Sequence, residues 1–109
     1  ERGATLVARG ELENPITFSS VVSEKNLPAR GLWGGLVLLG NAPITTGTDA
    51  RQDIVEGITD TRGVYGGIDE EDSSGVLEYV RVWYGGSIIG DDNEINGITL
   101  AGVGRGTVV

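Results

Sequence analysis

Short runs of β-branched and aliphatic residues, each closed by glycine, asparagine or aspartate, return about every 20 residues along this chain. They are Pro15-Ile16-Thr17-Phe18, the stretch from Trp33 to Asn41, Ile54-Val55-Glu56-Gly57-Ile58, the stretch from Val76 to Val82, and Ile95 to Leu100. A unit that short, without a helix, buries its apolar side only against the next copy of itself, which is the logic of a β-solenoid. Taking Phe18, Leu38, Ile58, Val82 and Leu100 as equivalent positions gives steps of about 20, 20, 24 and 18 residues. The pattern predicts about five coils, over residues 4–20, 32–46, 53–66, 76–90 and 94–109. Residues 21–30, 47–52 and 67–75 carry charge, serine, proline and glycine, and are expected to project as loops.

Helices are nearly excluded, because glycine or proline interrupts almost every window that could hold three helical turns. A single helical turn over residues 23–26 is the exception. An antiparallel sandwich also has many short strands, but it joins them through two-residue Asn-Gly or Asp-Gly turns. Asn96-Gly97 is the one such dipeptide, and it lies inside an aliphatic run. Parallel stacking is the expectation.

Composition adds limits to this shape. At 109 residues the chain is one domain with a modest core, and its 19 glycines show no period of three. Lys+Arg total 8 against 16 for Asp+Glu, a net charge of -8. Such a field disfavours nucleic acid and anionic lipid as partners. Cysteine and histidine are both absent, so disulfides, thiolate or imidazole metal sites, and Ser-His-Asp or Cys-His nucleophiles cannot be built from this chain. No apolar stretch approaches the length of a membrane span. The chain opens on Glu1-Arg2-Gly3 and closes on Thr107-Val108-Val109, and reads as an internal portion of a longer polypeptide.

The ordered strings Pro15-Ile16-Thr17-Phe18-Ser19-Ser20, Leu32 to Pro43, Val55-Glu56-Gly57-Ile58, Leu77 to Gly86 and Asn93 to Gly104 resemble secreted right-handed parallel β-helix proteins of Bacteroidetes and marine bacteria. Those relatives are lipoproteins or large multidomain surface proteins. The resemblance covers nearly the whole chain. It implies an extracellular or cell-surface location and adhesive, structural or glycan-binding roles, and it brings no catalytic motif.

Four residues are candidates for a glycan or partner surface. In Tyr79-Val80-Arg81-Val82-Trp83-Tyr84, strand alternation puts Tyr79, Arg81 and Trp83 on one face. An outward aromatic, arginine, aromatic stripe suits sugar rings and their hydroxyls or carboxylates; a lateral contact with a loop or protomer would use it equally well. Trp33, beside Gly34-Gly35, either stacks on a sugar or packs over the glycines. The acidic clusters are Asp69-Glu70-Glu71-Asp72 and Asp91-Asp92-Asn93-Glu94. Asp91, Asp92 and Glu94 are candidate calcium ligands, although Val103 stands where an EF-hand would place its closing glutamate, and solvated turns are the default. Gly102-Val103-Gly104-Arg105-Gly106 lacks the lysine and following helix of a phosphate loop and reads as a tight turn. Asn14, Asn41 and Asn96 read as turn or ladder residues.

Catalysis would require two of Asp53, Glu56, Glu78 and Glu94 to meet, as in glycoside hydrolysis. Glu56 and Glu78, placed alike in consecutive coils, are the expected pair, about 5 Å apart. The leading expectation is instead a non-enzymatic extracellular module, structural or adhesive, that assembles end to end through uncapped rungs. A polysaccharide-binding or polysaccharide-cleaving β-helix surface is the alternative. Partners are then other coils, identical copies or polysaccharide, without nucleic acid or membrane insertion.

Overall fold

The computed structural model describes residues 1–22, 30–45, 51–90 and 93–109. The helical turn expected over residues 23–26 lies outside them. Among the described residues the strands are β1 (Leu6–Arg9), β2 (Ile16–Phe18), β3 (Leu36–Leu39), β4 (Asp53–Ile54), β5 (Val64–Tyr65), β6 (Gly75–Glu78), β7 (Val80–Val82), β8 (Ile88–Gly90), β9 (Asn93–Glu94) and β10 (Ile98–Ala101). One 3-10 turn, Thr61–Gly63, precedes β5, capped by the Asp60 carboxylate on the Arg62 N–H.

Three parallel pairs carry the architecture. β1 lies on β6 with Leu6 opposite Gly75, β2 on β7 with Ile16 opposite Val80, and β3 on β10 with Leu36 opposite Ile98. Each turn of chain thus supplies one strand to each pair. A parallel bridge from Val76 to Val108 starts a third rung on β6. Among the described residues these pairs make two successive turns and the start of another, and do not show the expected five coils.

The difference has a plain cause. Each strand of one turn has its own apolar run and its own terminating turn, so the strands look like copies of one another. Phe18 is in register with Val82, and Leu38 with Leu100, and not each with the next of the five positions taken as equivalent. Phe18 and Leu38, however, occupy different strands of the same turn, and Thr17 meets Arg81 across 64 residues of sequence. Ile58 belongs to no strand. Residues 53–66 form an excursion built on the antiparallel pair β4 and β5, not a coil. β8 and β9 form a second antiparallel pair.

The core follows strand alternation. Ala8 of β1, Leu77 of β6 and Leu38 of β3 are buried together, with Ile16, Phe18 and Val80 packed against them. On β3 the next residue, Leu39, faces the other way. With Ala101, its register partner, it is covered by Val55, Ile58 and Tyr65 of the excursion. The excursion is therefore a lid over the outer face of the β3–β10 pair.

Two glycines show how closely the turns approach. A Cβ on Gly75, at φ 118, would fall 1.9 Å from the Leu6 carbonyl oxygen, and one on Gly35, at φ 93, 2.3 Å from that of Gly97. Only glycine fits where one backbone lies on the next in a left-handed conformation. Of the two glycines after Trp33, Gly35 is the one that meets this need.

Candidate functional site

The β2–β7 pair turns Ile16, Phe18 and Val80 inward, which leaves Thr17 and Arg81, its register partner, on the outer face. The Arg81 Nε donates to the Thr17 hydroxyl at 3.0 Å. Its guanidinium carbon sits 4.9 Å from the centroid of the Trp83 ring, a cation–π contact worth about 0.5–1 kcal/mol at an exposed site. Trp83 continues the ladder beyond β7 by donating its N–H to the Phe18 carbonyl, and remains 43% exposed. Tyr84 meets the Trp83 ring edge-on, with centroids 6.2 Å apart.

Trp33 joins this group through its backbone neighbour. Its indole Nε1 donates to the Trp83 carbonyl at 2.7 Å, while Gly31 and Leu32 donate to the carbonyls of Gly85 and Tyr84. Gly85 and Gly86, which follow the aromatic residues, line an open cleft of about 700 Å³ together with Arg30, Ile88, Glu94, Ile95 and Asn96. Aromatic faces, a guanidinium and a cleft of mixed polar and apolar lining thus lie along one pair of adjoining segments.

Tyr79 differs from its expected place. It is not part of a strand; it forms the whole corner between β6 and β7, at φ 48. Turning the chain within one residue requires this left-handed geometry, which costs a tyrosine about 1–2 kcal/mol relative to glycine. The simple alternation that grouped it with Arg81 and Trp83 is broken there. The residue is nonetheless 57% exposed.

The expected carboxylate pair does not form. Glu78 is the register partner of Arg9 and faces it at 3.9 Å, whereas Glu56 belongs to the excursion. Glu56 instead shares with Glu94 a smaller cleft of about 260 Å³, lined also by Tyr65, Thr99 and Leu100. Residues 94–96 border both clefts. Of the calcium candidates, Asp91 and Asp92 lie outside the described residues. Among those described, no group of three or more acidic side chains is placed to hold a metal ion.

The other acidic run has a different use. Glu70 and Glu71 both pair with Arg105, and Asp69 accepts from the Glu71 N–H. Asp72 is buried. Its Oδ1 accepts from the Asn41 backbone N–H at 2.9 Å and from the Asn41 amide at 3.2 Å, and its Oδ2 from the Ser74 hydroxyl at 3.1 Å. Burial pushes the carboxyl up, but these bonds and one from the Gly104 N–H hold it on balance below the ordinary value of 3.8. Asp72 thereby ties the chain after β3 to the chain after β10 and to the approach of β6. Asn41 is a corner residue, as expected, and Gly102 to Gly106 form the tight turn beside it.

A family model described as a pectate-lyase like beta helix domain matches residues 1–109. The chain belongs to that family. No curated protein and no solved structure matches it. A β-helix accounts for the three parallel pairs and for the outward stripe, since every strand of such a fold turns one side chain in two to the exterior. Sequence reasoning missed Thr17, and it singled out Glu94 and Asn96 for other roles without placing residues 94–96 along both clefts of this β-helix. Their neighbours are set by a register that residue types alone do not reveal.

Proposed function

We propose that this β-helix is a non-enzymatic, extracellular module that binds polysaccharide on the outer face of β2 and β7. The observation that carries the reading is the Arg81 guanidinium lying over a half-exposed Trp83 ring. A flat indole offers a stacking face for a pyranose. The guanidinium uses Nε on Thr17, leaving its terminal N–H groups to donate to sugar hydroxyls or a carboxylate. Membership of a pectate-lyase like beta helix family agrees with a polysaccharide ligand, and the lack of histidine and cysteine argues against the commoner hydrolytic mechanisms. Screening the protein against a polysaccharide array, with Trp83→Ala in parallel, tests the reading. Binding by the parent that falls at least about tenfold in the variant is expected; no binding by the parent refutes it.

Stacking is the structural side of the same proposal. β7 and β10 each have one strand partner among the described residues, and Ile98 and Leu100 are 41% and 43% exposed. Further β-helix coils or another copy of the chain, placed end to end, would cover them. A second reading, polysaccharide cleavage, draws on Glu56 and Glu94 lining one cleft. Release of reducing ends or unsaturated products by the parent, abolished in Glu56→Gln, would favour it.

A further inference from the structure

The outer faces of the three parallel pairs differ in what covers them. On β3–β10 the outward Leu39 and Ala101 lie under the excursion, and on β2–β7 the outward Thr17 and Arg81 are polar and bonded to each other. The face of β1 and β6 is apolar and open. Ala8 and Leu77 point into the core, so alternation turns Val7 and Arg9 of β1, and Val76 and Glu78 of β6, outward. Val7 stands opposite Val76 and Arg9 opposite Glu78, and the bridge from Val76 to Val108 adds a third valine to the row. Val7 is 64% and Val108 46% exposed. Threonine would serve a solvated strand as well. A valine in every rung, bordered by opposite charges, is a contiguous patch and marks an interaction surface.

We infer that this face binds a second copy of the same chain across a two-fold axis parallel to the strands and midway between β1 and β6. Two sheets laid face to face in this way are about 10 Å apart. The axis exchanges the rungs, so Val7 of each copy lies on the partner's Val76, and Arg9 of each on the partner's Glu78. The loose Arg9–Glu78 pair, 3.9 Å apart within one chain, then closes into a square of four alternating charges. An axis set instead along β6 would place Glu78 against its own copy, which like-charge repulsion disfavours. Charge complementarity thus fixes both the partner and the register. These side chains are far fewer than the roughly 20–30 residues per partner of a standard interface, and each copy carries a net charge of -8. The association is therefore weak, with a dissociation constant on the order of 100 µM. It does not depend on the polysaccharide surface, which lies on a different face.

Analytical ultracentrifugation of the full chain, at concentrations spanning that value, tests the pairing. The parent should pass from monomer to dimer, the size at which an isologous contact closes. Arg9→Glu and Glu78→Arg each set like charges across the axis twice, and each should weaken self-association roughly tenfold or more. Mixing the two variants should restore a dimer at least as tight as the parent's, because every charge then meets its opposite. No effect within a single chain produces that rescue. Both positions are exposed, so the Tm of each variant should stay near the parent's. A parent that stays monomeric, association that neither reversal weakens and that would then belong to the rung ends, or a mixture no tighter than either variant alone overturns the inference.

Discussion

Replacing Asp72 tests whether the two turns are held in register at their corner. In Asp72→Ala, the Asn41 N–H, the Asn41 amide, the Ser74 hydroxyl and the Gly104 N–H lose their shared acceptor. A hydrogen bond to a charged group contributes about 1.5–3 kcal/mol, and each buried donor left unpaired costs about 1–3 kcal/mol. Water reaches some of these donors once the carboxylate is gone, so a net loss of about 3–5 kcal/mol is expected. That is a large part of the roughly 5–15 kcal/mol that holds a domain folded. Asp72→Asn keeps one acceptor oxygen and turns the other into a donor, for a loss of about 1–2 kcal/mol. Urea unfolding of the three proteins, read as midpoint and m-value, supplies the comparison. The pH dependence fixes the sign. Because folding lowers the Asp72 pKa, its contribution is complete above the unfolded value of about 3.9 and is lost as pH falls through the folded one. The gap between parent and Asp72→Asn should therefore narrow on acidification. A loss below about 0.5 kcal/mol in Asp72→Ala, or a gap indifferent to pH, would refute the corner's role.

Gly75→Ala should cost upward of about 3 kcal/mol or prevent folding, since its Cβ would meet the Leu6 carbonyl; Gly31→Ala, also at positive φ but with no atom nearer than 4.0 Å, should cost only about 1–2 kcal/mol. Thermal melts of the two variants separate backbone strain from rung contact. Leu38→Ala should lose about 3–4 kcal/mol, and its half-exposed register partner Leu100→Ala about 1–2 kcal/mol. If further coils or copies cover β10, the cost at Leu100 approaches that at Leu38 in the assembled form, and denaturation of dilute and concentrated samples measures the change.

The class of fold was legible because burial has a period. Apolar runs and closing residues marked Phe18, Leu38, Val82 and Leu100 as inward strand positions, but did not show that Phe18 pairs with Val82 and Leu38 with Leu100. The number of turns was not legible. Three strands of one turn obey the same alternation as three stacked copies, and only hydrogen-bond register distinguishes them. The same limit governs the site. Arg81 and Trp83 sit two apart on one chain segment, so their common face could be read directly. Thr17 comes from the adjoining turn and Trp33 from a segment between strands, which no local pattern places. Tyr79 was misassigned because alternation was carried through a corner that takes a single left-handed residue. Asp72 looked like one more solvated acid in a charged run, and what sets it apart is burial under Asn41 and Gly104, a consequence of long-range topology.

The distribution of arginines bears on which sugars suit the proposed surface. Arg9, Arg62 and Arg105 face Glu78, Asp60 and the Glu70–Glu71 pair, so their charge is spent within the fold. Arg81 is spent on a hydroxyl and a ring, which leaves a directional donor in a chain whose net charge is -8. Beyond about 8 Å that net charge is screened at physiological ionic strength, so a short uncharged oligosaccharide meets mainly the local donor and the indole. A polyuronate, whose charges recur along a chain longer than the site, meets the remaining carboxylates as well. On the proposed reading, uncharged or sparsely charged glycans are the better ligands, because stacking and neutral hydrogen bonds incur no repulsion from the rest of the acidic β-helix.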